Sequence, residues 1–120
     1  MQTDEHEDPV AMYRRELTYI EPMTSDEQAE LFRQLGGSGK WNDDQENVAR
    51  RIIESQLQKV VNIAEEYSSS GIQMLDLIQE GNLGLFKAVE QFARQNTGDF
   101  PAYAAGLIRD SITAFVKNSR

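Results

Sequence analysis

From residue 8 onward the apolar residues return at intervals of three and four, and no segment sustains the alternation of two that marks a strand. The pattern predicts helices throughout. The first opens with Asp8 as N-cap and Pro9 at the first helical position, where a missing N–H does no harm. Val10, Tyr13, Leu17 and Ile20 line its inner face, and Pro22 ends it. Thr24-Ser25-Asp26-Glu27 has the T-x-x-E form of a capping box and starts a second helix that runs to about Leu35. Gly36-Gly37-Ser38-Gly39 then interrupts the chain. The third helix is predicted from about Asp43 to Tyr67, with Val48, Ile52, Leu57, Val60, Val61 and Ala64 inward, mostly at threes and fours with a single step of five between Ile52 and Leu57. Ser68-Ser69-Ser70-Gly71 closes it. A fourth helix covers about Met74 to Phe92, and a fifth opens near Pro101 and turns Ala104, Ile108, Ile112 and Phe115 to the core. The expected fold is all-α, a compact bundle of about five helices forming one domain over residues 8–120. Met1–Glu7 is expected to be a disordered acidic tail.

The fourth helix is the most informative. Leu75, Ile78, Leu85, Val89 and Phe92 are placed on its apolar face, yet Gly81 and Gly84 lie inside it, each at a cost of roughly 1 kcal/mol relative to alanine. Such glycines serve either a close backbone approach or an unobstructed polar surface. Asp76, Gln79, Glu80 and Asn82 supply the polar side. Leu83, Phe86 and Met74 are expected in the core or at its rim.

Charge narrows the function. The chain carries 20 acidic and 12 basic residues, a net charge of −8. Residues 1–73 hold 15 acids and 7 bases, whereas residues 74–120 hold five of each. A free-standing nucleic-acid binder shows a basic footprint, because neutralising phosphates supplies most of its affinity. Here any contact with DNA is expected to be weak, or made within a larger assembly. There are no cysteines, so disulfide and thiolate chemistry are excluded. His6 is the only histidine, and no nucleophile stands beside an activating base, so neither a histidine-based metal site nor an enzyme active site is expected. No cofactor is implied. Gly36 to Lys40 lacks the spacing, the hydroxyl residue and the preceding strand of a phosphate-binding loop, Trp41 standing where Ser or Thr is needed. The acidic N-terminus and the lack of an apolar run of roughly 18 residues point to the cytoplasm.

Leu75-Asp76-Leu77-Ile78-Gln79-Glu80-Gly81-Asn82-Leu83-Gly84-Leu85 resembles the core-binding helix of bacterial RNA polymerase sigma factors of the housekeeping type, in the sigma-70 family. The likeness extends through Asp8-Pro9-Val10, Met12-Tyr13, Arg15-Glu16-Leu17, Thr24 to Leu35, Leu57, Val60-Val61, Ile63-Ala64, Tyr67 and Ala88 to Phe92, then Phe100, Tyr103-Ala104, Ile108-Arg109 and Ile112. It implies the helical second domain of such factors with its preceding segment. It also implies docking of Asp76, Gln79, Glu80 and Asn82 on the clamp helices of the polymerase β′ subunit, where arginines would meet the carboxylates in charge-assisted hydrogen bonds.

The last helix departs from the family pattern. Aromatics there stack on unpaired promoter bases, at about 1–3 kcal/mol per base. Gly106 and Leu107 stand at the two tryptophan positions, Gly98 at a tyrosine and Asp99 at a lysine, while Glu65-Glu66 replaces the family's Lys-Lys. Phe100, Tyr103 and Arg109 remain as candidate DNA contacts; a core tyrosine and a surface ion pair are the structural alternatives for the last two. The chain also stops before most of the helix that reads the promoter's upstream hexamer. The implied function is a sigma-like protein in transcription initiation with weakened promoter melting. A sigma mimic competing for core polymerase, a helical module with an unrelated protein partner, and a fragment of a longer factor stay open, as does an anti-sigma-type antagonist.

Overall fold

The computed structural model describes residues 8–37, 40–95 and 98–119; Met1–Glu7, where the acidic tail is predicted, lies outside them. Among the described residues six α-helices follow one another: α1 Pro9–Leu17, α2 Ser25–Leu35, α3 Asp43–Glu54, α4 Leu57–Glu65, α5 Met74–Gln95 and α6 Phe100–Asn118. A 3₁₀ turn, Ser68–Ser70, lies between α4 and α5. No strand occurs among the described residues, so the chain is all-α.

The helix starts follow local chemistry. Asp8 accepts a hydrogen bond from the Val10 amide at 3.3 Å. Thr24 and Glu27 close a reciprocal capping box, the Thr24 amide donating to Glu27 Oε1 at 2.9 Å and the Glu27 amide to Thr24 Oγ1 at 3.1 Å. A second box, Asn42 with Gln45, starts α3 in the same way.

The predicted third helix is two. It breaks at Ser55–Gln56, at the five-residue step in its apolar pattern. There the Ser55 hydroxyl donates back to the Ile52 carbonyl at 2.6 Å, and the Gln56 amide reaches the Ile53 carbonyl at 2.9 Å, a tighter i→i−3 bond. The break resets the phase by one residue, so that Ala49 and Ile52 of α3 and Val60, Val61, Ile63 and Ala64 of α4 all face the core. The fourth and fifth predicted helices also run slightly longer than expected, to Gln95 and from Phe100.

The core is built on α5, which packs most extensively against α6. The two run antiparallel: Gly81 faces Ile108 and Ile112, Gly84 faces Leu107 and Ser111, and Phe92 meets Phe100. Three phenylalanines tie the ends of the sequence together. Phe32 of α2, Phe92 of α5 and Phe100 of α6 meet edge to face with ring centroids 4.8–5.2 Å apart, the arrangement that aromatic quadrupoles favour.

The glycines inside α5 serve this packing. A Cβ on Gly84 would lie 2.7 Å from both the Leu107 carbonyl oxygen and Ser111 Oγ; one on Gly81 would lie 2.7 Å from Val60 Cγ1. Close backbone approach within the bundle explains them, and a cleared outer surface does not. Because Leu107 presents backbone at that point, α6 can make room for a side chain only by moving away.

Candidate functional site

With Gly81, Gly84, Leu77, Ile78, Leu85, Ala88, Val89, Phe92 and Ala93 buried, α5 turns its opposite side to solvent. Asp76, Gln79 and Glu80 are spaced i, i+3 and i+4 and therefore neighbour one another on that side. Asp76 and Gln79 are exposed and Glu80 is half-buried. Their side chains are not turned into the core. Asn82 is different. Two residues beyond Glu80 on a helix of 3.6 residues per turn, it points away from the carboxylates. It is half-buried, and its Oδ1 is enclosed with no hydrogen-bond partner among the described residues. The four-residue polar group is thus a trio with Asn82 on its flank.

Three apolar side chains join the trio. Leu75, Leu83 and Phe86 are 44, 52 and 45% exposed, and among the described residues only Tyr19 is another large hydrophobic so open. The expectation that Leu75 lies on the buried face is corrected: Leu77 is there instead, fully enclosed. Leu83 and Phe86 likewise lie outside the core. Leu75, Gln79, Leu83, Phe86 and Glu90, at steps of three and four, form one outward stripe of about 22 Å at 1.5 Å per residue. Sequence reasoning missed it because a leucine on a helix is assigned to the core by default. A full count of the face would have found it, since α5 carries more apolar residues than one side can hold.

The candidate DNA contacts are engaged within the molecule. Phe100 is 2% exposed, its ring held between Phe32 and Phe92, so no face is free for a base. The Tyr103 hydroxyl donates to Gln91 Oε1 at 2.8 Å, and its ring leans on Phe92 with centroids 5.6 Å apart. Arg109 Nη2 donates to Glu66 Oε2 at 2.8 Å, while Arg14 pairs with Glu65. The Glu65-Glu66 dipeptide thereby links α4 to both α1 and α6. Gly106 and Leu107 also differ: Gly106 stands in open space, whereas Leu107 is half-buried against α5.

The family model for sigma-70 region 2 matches residues 52–120. The chain is 42% identical over 106 residues to the RNA polymerase sigma factor SigA of a Bacillus species, covering 88% of this chain and 26% of that protein. It is 40% identical over 109 residues to SigA of Lactococcus lactis subsp. cremoris, covering 89% of this chain and 29% of that one. The chain belongs to the sigma-70 family, a family of non-catalytic transcription factors. It spans between a quarter and a third of the length of these curated relatives. Among the described residues no helix is long and apolar enough to cross a membrane.

Proposed function

We propose that this chain docks on the core RNA polymerase through the outer side of α5 and acts in transcription initiation with reduced capacity to open promoter DNA. The observation that carries the docking is the coincidence, on one solvent face, of Leu75, Leu83 and Phe86 with Asp76, Gln79 and Glu80. Apolar anchors rimmed by charge and amide groups are the composition of a protein interface, where a few buried side chains carry most of the energy and the polar rim sets register. The fitting counterpart is a helical surface bearing arginines, and the β′ clamp helices are the proposed one. The membership of residues 52–120 in sigma-70 region 2 supports that choice.

A second reading, competition with complete sigma factors for the same polymerase, draws on the other face. Phe100, Tyr103 and Arg109 are held by Phe32, Gln91 and Glu66, and Gly98, Asp99, Gly106 and Leu107 offer neither aromatic ring nor positive charge. A protein with an open docking face and a closed DNA face occupies polymerase without melting a promoter. The test is a run-off assay on a promoter template with purified core enzyme. Transcripts from the chain alone identify an initiator; inhibition seen only when a housekeeping sigma factor is also present identifies a competitor. Failure of the chain to co-purify with core enzyme overturns both.

A further inference from the structure

Beside α5, on the side of Phe86, a groove of ≈ 290 Å³ opens toward α3, lined by Trp41, Glu46, Ala49, Arg50, Ile53 and Phe86. Ala49 forms its buried floor, and Trp41 and Ile53 are half-buried walls. Phe86 belongs both to this groove and to the outward stripe of α5, so the two surfaces are continuous.

We infer that this groove is an anchor pocket for an apolar side chain carried on a basic helix of the polymerase partner. The inference rests on the docking reading above and extends its footprint from α5 to α3. Charge selects the occupant. On α3, Glu46 lines the groove, Asp43 lies one helical turn before it with Asp44 beside, and α5 adds Glu90 four residues beyond Phe86, whereas Glu80 and Lys87 line a separate groove toward α6. Against these four acids, Asp43, Asp44, Glu46 and Glu90, stand Lys40 and Arg50. A segment of net negative charge, a nucleic acid or an anionic membrane surface, is repelled by that balance; a helix bearing Lys and Arg around one large apolar residue is matched by it. The exposed aromatic edge of Phe86 and the indole of Trp41 are the residue types that form binding hot spots when a partner excludes water around them.

Trp41 is the only tryptophan in the chain, and this makes the test specific. Purified bacterial core RNA polymerase is titrated with the full chain, with Trp41→Ala, with Trp41→Phe and with Glu80→Lys, after circular dichroism has shown each to be helical. In parallel, a benzoylphenylalanine photocrosslinker is placed at position 41 and, as a control, at the exposed Tyr19 of the α1–α2 connection. The expected result is at least a fivefold weaker Kd for Trp41→Ala, largely restored in Trp41→Phe, with crosslinks to a core subunit from position 41 and none from position 19. If Glu80→Lys weakens binding while Trp41→Ala binds as the unmodified chain does and position 41 yields no crosslink, the pocket is overturned and the α5 docking stands. If the unmodified chain does not bind core enzyme, or Glu80→Lys binds equally well, the docking reading fails and this inference fails with it.

Discussion

The outer side of α5 and the outer side of α6 come from neighbouring, tightly packed helices, yet their side chains are disposed in opposite ways. On α5 the apolar groups Leu75, Leu83 and Phe86 stand open, and Asp76 and Gln79 are exposed beside them. On α6 and the tip of α4 the groups suited to meeting a ligand already have partners inside the molecule: Tyr103 with Gln91, Arg109 with Glu66, Phe100 with two phenylalanines. An interface keeps exposed apolar surface only where another molecule covers it, whereas a surface that satisfies its own hydrogen bonds gains little from a new partner. On the proposed reading, the contrast would separate recruitment to polymerase from action on DNA and put the two on different helices.

The contrast is broken most sharply by replacing both Leu83 and Phe86 with Asp. Loss of two anchors is expected to weaken binding to core polymerase about thirtyfold or more, roughly 2 kcal/mol, in a pull-down or titration, with the melting temperature little changed because both side chains are exposed. Glu80→Lys is expected to weaken the same binding at least tenfold, about 1.4 kcal/mol, by setting a cation against the arginines of the counterpart. An unchanged affinity in either variant would place the docking face elsewhere.

One substitution made in each helix sharpens the comparison, because its sign should reverse. Alanine gains about 1 kcal/mol over glycine in a helix interior. At Gly84 that gain is outweighed by roughly 2 kcal/mol of overpacking against the Leu107 carbonyl, leaving Gly84→Ala destabilised by about 1 kcal/mol, a fall in Tm of roughly 4–8 °C. At Gly106 nothing lies within 4 Å, so Gly106→Ala should raise Tm by a similar amount. Thermal unfolding followed by circular dichroism reads both. The smallest effect is expected from Glu66→Gln, which frees Arg109. Because the pair is half-exposed, stability should change by less than about 1 kcal/mol. Binding of a single-stranded oligonucleotide at low salt should nevertheless strengthen a few-fold, and the gain should vanish in the Glu66→Gln, Arg109→Gln double variant.

Much of this molecule was legible in the sequence. The helix starts at Asp8 and Thr24 were readable because capping is local: one side chain satisfies amides two or three residues away; the equally local Asn42–Gln45 box was passed over. The buried spacing of Ala104, Ile108 and Ile112 was readable because a 19-residue helix repeats its period often enough to be unambiguous. The break at Ser55–Gln56 was visible only as one irregular step, since Ser and Gln are tolerated in helices and what divides α3 from α4 is the need to keep both in phase with one core. The site was read less well for a related reason. The neighbouring positions of Asp76, Gln79 and Glu80 follow from helical geometry, but which leucines of α5 face outward depends on where α4 and α6 sit. The same holds for Arg109 and Phe100, whose partners Glu66 and Phe32 are 43 and 68 residues distant in the chain, beyond the reach of any local rule.

The knot of Phe32, Phe92 and Phe100 has a mechanical corollary. An aromatic ring at the head of α6 can be presented to an outside ligand only after leaving two neighbours, one of which, Phe32, belongs to α2. Drawing Phe100 outward would therefore also loosen α2, and a protease cutting near residue 36 would register the event. In this protein, baring that ring begins with giving up an aromatic contact to α2, while α2 stays packed on α3 and α1 on α4.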